Sequence, residues 1–163
     1  MLFIRYWNDG TMIKIEKIIA NRLVFANRKH SQANVSEKLK LKPGELKKLR
    51  KIAKKSFEQK DMKLKNFMKY DFFVLKNGKA IVGFFVVSGK RLCLMAIEPG
   101  HRRKGIGSFA MNFIKRKYKN LFLMVKSRNK DAIKFYEKHG WKKIRLVRNY
   151  YKHGWKHAVR MAI

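Results

Sequence analysis

Near the start of the chain, Leu2-Phe3-Ile4-Arg5-Tyr6-Trp7 and Thr11-Met12-Ile13-Lys14-Ile15 flank Asn8-Asp9-Gly10. Two β-prone runs around an Asp-Gly turn predict a hairpin. Arg22 to Ala26 reads as a further strand. From Pro43 the period changes: Leu46, Leu49, Ile52, Ala53 and Phe57 recur at helical spacing behind a Pro-Gly start, predicting an amphipathic helix over 44–58. Its opposite face, with Lys47, Lys48, Arg50, Lys51, Lys54 and Lys55, reads as a solvated face. A second short helix is expected near 61–69.

Three strands follow in quick succession: Phe72 to Leu75, Ala80 to Val87 after the Asn77-Gly78 turn, and Arg91 to Ile97 after Ser88-Gly89. This is an antiparallel meander. Beyond Pro99 a glycine-containing loop opens a helix with Ile106, Phe109, Ala110, Phe113 and Ile114 on one face, ending near Tyr118. Leu121 to Lys126 reads as a continuous apolar strand of the kind buried on both faces. Asn129 to His139 is helical and stops at Gly140, and two last strands, about 141–151 and 155–162, meet around His153-Gly154. From Val35 onward the order is β-α-(α)-β-β-β-α-β-α-β-β. The expected fold class is α/β (α+β): a mixed, mostly antiparallel sheet flanked by helices. Residues 1–33 form a β-rich extension ahead of one domain over 34–163.

Composition narrows the class. At 163 residues, with 46% hydrophobic residues and 12 Phe, the chain can bury a core and is no disordered basic tail. The single cysteine, Cys93, excludes an internal disulfide framework, and no Cys/His cluster has zinc-ligand spacing. No signal-like or membrane-spanning apolar run is present, so a cytoplasmic location is expected. The formal charge of +32, from 42 Lys plus Arg against 10 Asp plus Glu, attracts polyanions. It has three readings: a Lys-rich surface coat, a footprint for RNA, ribosome or DNA without a dedicated motif, and recruitment of a phosphorylated coenzyme.

The window from Leu92 to Ser108 carries the most chemical information. A strand ends at Glu98-Pro99, and Gly100-His101-Arg102-Arg103-Lys104-Gly105-Ile106-Gly107-Ser108 leads into a helix. Backbone N–H groups and the dipole at a helix N-terminus suit a phosphate or pyrophosphate. The dinucleotide fingerprint fails because Ala110 takes its last position, and the Walker pattern is absent.

With Arg102, Gly105 and Gly107 in place, this window resembles the Arg/Gln-x-x-Gly-x-Gly/Ala acetyl-CoA motif of the GNAT N-acetyltransferase superfamily. Asn129-Lys130-Asp131-Ala132-Ile133-Lys134-Phe135-Tyr136-Glu137-Lys138-His139-Gly140-Trp141 resembles the superfamily's Asn-x-x-Ala-x-x-x-Tyr-Glu-x-x-Gly-Phe segment. Arg148-Asn149-Tyr150-Tyr151, with Ala158 and Met161 beyond, is similar to the carboxy-terminal segment of the ribosomal-protein alanine and related protein N-terminal acetyltransferases; His157 departs from their usual Asp.

The resemblance implies a GNAT fold and acetyl-CoA as cofactor. It implies that backbone groups of Met95, Ala96 and Ile97 line the pantetheine and thioester. The amides of Arg102, Arg103, Lys104, Gly105, Ile106, Gly107 and Ser108 would take the pyrophosphate, and Asn129 the pantetheine arm. Tyr136 would protonate the leaving sulfur, and Tyr150 and Tyr151 would contact a protein or peptide acceptor. The relatives' strand glutamate is replaced, since the chain reads Leu121-Phe122-Leu123-Met124-Val125. Glu98, His101, His157 and a held water remain open as the base. An α-amine, with pKa near 8 against about 10.4 for Lys, needs less help from one. Three functions follow as expectations: acetylation of a protein N-terminus or ribosomal protein, acetylation of the amine of aminoacyl-tRNA, and a non-catalytic basic module that holds nucleic acid. Monomer and homodimer both remain open.

Overall fold

The computed structural model describes residues 4–8, 11–18, 41–57, 63–153 and 156–163. The expected strand at 22–26, the first strand from 35 onward and the 33/34 domain boundary lie outside the described residues. Eight strands form one sheet in the order β1-β2-β3-β4-β5-β6-β8-β7. They are β1 (Ile4–Asn8), β2 (Thr11–Ile18), β3 (Asp71–Asn77), β4 (Ala80–Ser88), β5 (Arg91–Ile97), β6 (Phe122–Lys126), β7 (Lys142–Val147) and β8 (Ala158–Ala162). The helices are α1 (Pro43–Ser56), α2 (Ile106–Lys117) and α3 (Lys130–Lys138). The short helix expected near 61–69 is a single 3-10 turn, Leu64–Phe67.

The amino-terminal hairpin adds to the sheet edge, with β2 antiparallel to β3. Among the described strands only β5 and β6 run parallel, and α2 makes the crossover that a parallel pair needs. The two faces of the sheet carry separate cores. On one, Leu49, Ile52 and Ala53 of α1 bury against Phe72, Phe84, Val86 and Leu94. On the other, Phe109, Phe113 and Ile114 of α2 bury against Phe73, Phe85 and Leu123, with Ile133 of α3 and Trp141 alongside. The stacked pair Phe73–Phe85, 4.7 Å between ring centres, meets Phe113 edge-on at 5.4 Å, a favoured aromatic geometry.

The expectation that β6 is buried on both faces is corrected. Leu123 and Val125 are buried, but Phe122, Met124 and Lys126 are only partly covered. The helices supply the reason: α1 covers the β3–β5 half of its face, while α2 and α3 cover the other face. The carboxy-terminal strands are also shorter than the expected 141–151 and 155–162.

Candidate active site

The site begins where the sheet comes apart. β5 and β6 pair only at Arg91↔Phe122 and Leu92↔Leu123. Beyond those two steps the strands diverge. The Phe122 N–H donates to the Lys90 carbonyl at 2.8 Å, which sets the parity of β6 and turns the peptide of Met124 toward the gap. The Met124 carbonyl accepts instead from the Tyr151 hydroxyl at 3.3 Å. Tyr151 therefore caps the carbonyl released by the divergence.

The other wall is shaped by a bulge. Val86 lies opposite Leu94 and Val87 opposite Leu92, so Cys93 is an extra residue in β5. An inserted residue turns the following peptides over. The Glu98 N–H then returns to the Val82 carbonyl at 2.8 Å, while the Ile97 carbonyl, on the opposite side, accepts from Arg102 Nε at 3.1 Å. Met95 shares the parity of Ile97, so its N–H and C=O face the gap. Ala96 has the opposite parity, with its carbonyl toward Gly83 of β4. Of the three strand residues implied as coenzyme contacts, Met95 and Ile97 offer backbone groups to the cleft and Ala96 does not.

The loop after β5 is held at both ends. Arg102 spends its guanidinium on the Ile97 carbonyl and on Ser56 Oγ at 3.4 Å, tying the loop to β5 and α1. Arg103 and Gly105 have left-handed φ of 61° and 75°, and Gly105 is the N-cap of α2. Such turns let successive N–H groups converge, and the first amides of a helix have no intrahelical acceptor. Ile106, Gly107 and Ser108 supply those amides. Gly105, Ser108, Asn112, Lys115 and Arg116 also line a cleft of about 510 Å³ along α2, a basic wall for phosphate.

One close approach brings the separate motifs together. A Cβ on Gly107 would lie 3.2 Å from the Phe135 ring and 3.9 Å from the Met95 side chain. The absence of a side chain at 107 therefore lets α3 and β5 meet at the start of α2. Asn129 caps α3, its Oδ1 accepting from the Ala132 N–H at 3.1 Å, which leaves its Nδ2 free to donate to a ligand.

Tyr136 packs edge-on to Trp141 at 5.9 Å. Burial, and secondarily the neighbouring Tyr151, push its phenol up to about 12. Burial likewise raises Tyr151 to about 12, ahead of an opposing effect of Arg91. Tyr150 stands edge-on to Tyr151 at 4.8 Å, and Arg91 Nη2 donates to its hydroxyl. A chain of phenols thus runs from α3 to the far wall.

The candidate bases divide. Glu98 Oε1 is 2.5 Å from Lys48 Nζ and Oε2 is 3.4 Å from His101 Nδ1. The hydrogen bond from Lys48 outweighs burial and holds the Glu98 carboxyl below its usual range, so Glu98 is committed to α1, while His101 Nδ1 lies within ion-pair range of Glu98 but makes no hydrogen bond. His157 Nδ1 accepts from the Asn149 N–H at 3.3 Å, which occupies its lone pair. Glu98 and His157 are therefore not free bases. Met124 is partly exposed in β6 and offers no proton acceptor. Arg91 and Arg160 also line the divergence; no motif marks them, because only the strand order brings both to Phe122.

Residues 68–143 match the family model described as an acetyltransferase (GNAT) domain. Over 66 residues the chain is 30% identical to the peptidyl-lysine N-acetyltransferase YiaC of Escherichia coli K12, covering 40% of this chain. That match spans 45% of the relative's length. Among solved structures, Ard1 from Thermoplasma volcanium superposes with TM-score 0.66 at 25% identity, covering 76% of this chain and 93% of that one. The ribosomal-protein-S18-alanine N-acetyltransferase of Escherichia coli gives TM-score 0.60 at 24% identity, covering 76% and 89%. Other chains of this fold were solved with acetyl-CoA or a CoA–peptide analogue bound.

Proposed function

We propose that this chain, whose residues 68–143 match the acetyltransferase (GNAT) domain model, transfers the acetyl group of acetyl-CoA to the α-amine of a protein or peptide. The observation that carries the reading is the divergence of β5 from β6 directly ahead of an anion-binding helix start. The residues present fit the coenzyme: amides of Ile106, Gly107 and Ser108 for pyrophosphate, a basic cleft beside them, and the gap-facing backbone of Met95 and the Ile97 N–H for the extended arm. Acetyl-CoA supplies an activated thioester.

The chain's own residues do the rest. Met95 and Ile97 orient the arm through backbone hydrogen bonds, and backbone donors in the gap hold the carbonyl that accumulates charge. Tyr136 keeps its proton at neutral pH, since burial raises the phenol to about 12, and its hydroxyl is assigned to protonate the departing sulfur. Tyr150 and Tyr151 form the acceptor wall. That no free carboxylate faces the gap among the described residues favours an α-amine, a fair fraction of which is neutral at physiological pH. A cytoplasmic location and an S18-like ribosomal acceptor remain within this proposal.

The test is transfer of labelled acetyl from acetyl-CoA to N-terminal peptides, internal-lysine peptides and small polyamines. Transfer to the α-amine class is expected; transfer to lysine side chains alone would replace that acceptor. A second reading, acetylation of aminoacyl-tRNA, draws on the +32 charge and is read by acid-gel analysis of charged tRNA.

A further inference from the structure

On the acceptor side of the divergence, a patch of cation is left without a counter-charge. Arg91 lies opposite Phe122, one step before the last paired residues Leu92 and Leu123, and Arg160, on β8, lies opposite Met124. The Arg160 guanidinium sits 4.6 Å over the Phe122 ring. Both arginines have a buried Nε with no hydrogen-bond partner. A buried unpaired donor is costly, and in a folded protein it calls for an explanation.

Arg145 stands directly across from Arg160 on β7, a like-charge pairing that a sheet normally avoids. The described carboxylates are engaged or placed elsewhere: Glu16 and Glu45 on Lys76, Asp71 on Lys17, Glu98 on Lys48, Glu137 on Lys143, and Asp131 in the first turn of α3. Nothing acidic among the described residues pairs with Arg91 or Arg160. Arg91 meanwhile holds the Tyr150 hydroxyl, which fixes the cation beside the acceptor wall.

We propose that Arg91 and Arg160 bind a carboxylate of the acceptor, so that the preferred substrate is a peptide whose first or second residue is acidic. The inference rests on the transferase reading above and names the substrate class of the same site. The arginines sit at the vertex of the divergence, next to the tyrosines of the acceptor wall, so the carboxylate must lie within a residue or two of the reacting amine. A planar guanidinium suits a carboxylate because it can donate two parallel hydrogen bonds.

The experiment uses the full chain. Transfer to an Asp- or Glu-bearing N-terminal peptide is compared with its Asn or Gln counterpart, free glutamate and charged tRNA. The acidic peptide is expected to exceed its amide counterpart by about tenfold or more in kcat/KM, the scale of one charge-assisted contact. Preference for free glutamate would keep the carboxylate site and assign it to an α-carboxylate. In Arg160→Met the acidic-to-amide ratio should fall toward one, and Arg160→Lys should restore part of it. Equal use of the two peptides, preference for basic ones, or transfer to tRNA with no carboxylate preference would overturn the proposal. Binding of the N-acetylated acidic peptide, titrated in the presence of CoA, separates the two readings. Selective binding without transfer sinks the transferase and leaves the carboxylate site standing. Transfer without selective binding does the reverse.

Discussion

A phenol of ordinary pKa near 10 is protonated at neutral pH, and burial raises Tyr136 to about 12 without ion-pairing it. Tyr136→Phe removes the proton donor while keeping the ring against Trp141. We expect kcat to fall on the order of 10²-fold, the usual contribution of a positioned acid, with acetyl-CoA affinity within a factor of about two. Steady-state kinetics and a coenzyme titration check this. The same shift affects stability. Tyr136 and Tyr151 are both raised to about 12 in the fold against about 10 unfolded, so the native state favours their protonated forms. Their contribution is complete below about pH 10 and is lost as pH rises toward 12. Denaturant midpoints should decline over that window, and less steeply in Tyr136→Phe.

At the scale of elements, function depends on where three segments touch. Gly107→Val would place methyl groups where Phe135 already lies 3.2 Å from a Cβ, forcing α3 away from the start of α2. The expected result is roughly tenfold weaker acetyl-CoA binding by calorimetry with a native far-UV spectrum; unchanged affinity would show that this contact does not shape the pyrophosphate loop. Gly83→Ala acts on the other wall. Its Cβ would meet the Ala96 carbonyl at 2.6 Å, and backbone cannot yield as a side-chain tip can. A loss of roughly 1–3 kcal/mol is expected in chemical denaturation.

Much of this scale was legible in the sequence. Glycine and apolar spacing marked α2 and α3, and α1 runs Pro43–Ser56 where the spacing predicts 44–58. The bulge at Cys93 was not legible, because an extra residue in an apolar strand changes register without changing composition. The one-sided burial of β6 was missed for a related reason: Phe122 and Met124 are as apolar as Leu123 and Val125, and only the helix placement tells the faces apart. The Arg102 amide was expected among those taking the pyrophosphate; it donates to the Pro99 carbonyl at 3.2 Å and the side chain clamps the loop, so the amides from Ile106 onward remain for the anion.

For the whole molecule, the +32 charge is the dominant field. The described carboxylates that meet cations do so in small clusters, as where Glu16 and Glu45 share Lys76 at 2.8 Å each, and their number cannot neutralise the Lys and Arg around them. A chain so charged repels itself when compact, and unfolding relieves that repulsion by spreading the charges. Added salt screens the repulsion over a Debye length of about 10 Å at 0.1 M. Raising NaCl from low concentration toward 0.5 M should therefore raise the melting temperature, although it weakens each surface ion pair, because repulsive contacts far outnumber attractive ones. An anion that seats on the coenzyme loop adds a saturable gain above this screening curve. Melting followed against NaCl, and against CoA at fixed ionic strength, separates the two. A temperature that falls with NaCl would mean that the paired clusters outweigh the net field. A gain from CoA no larger than that from salt of equal ionic strength would mean that the coenzyme meets only diffuse charge, and not the helix start at Gly105.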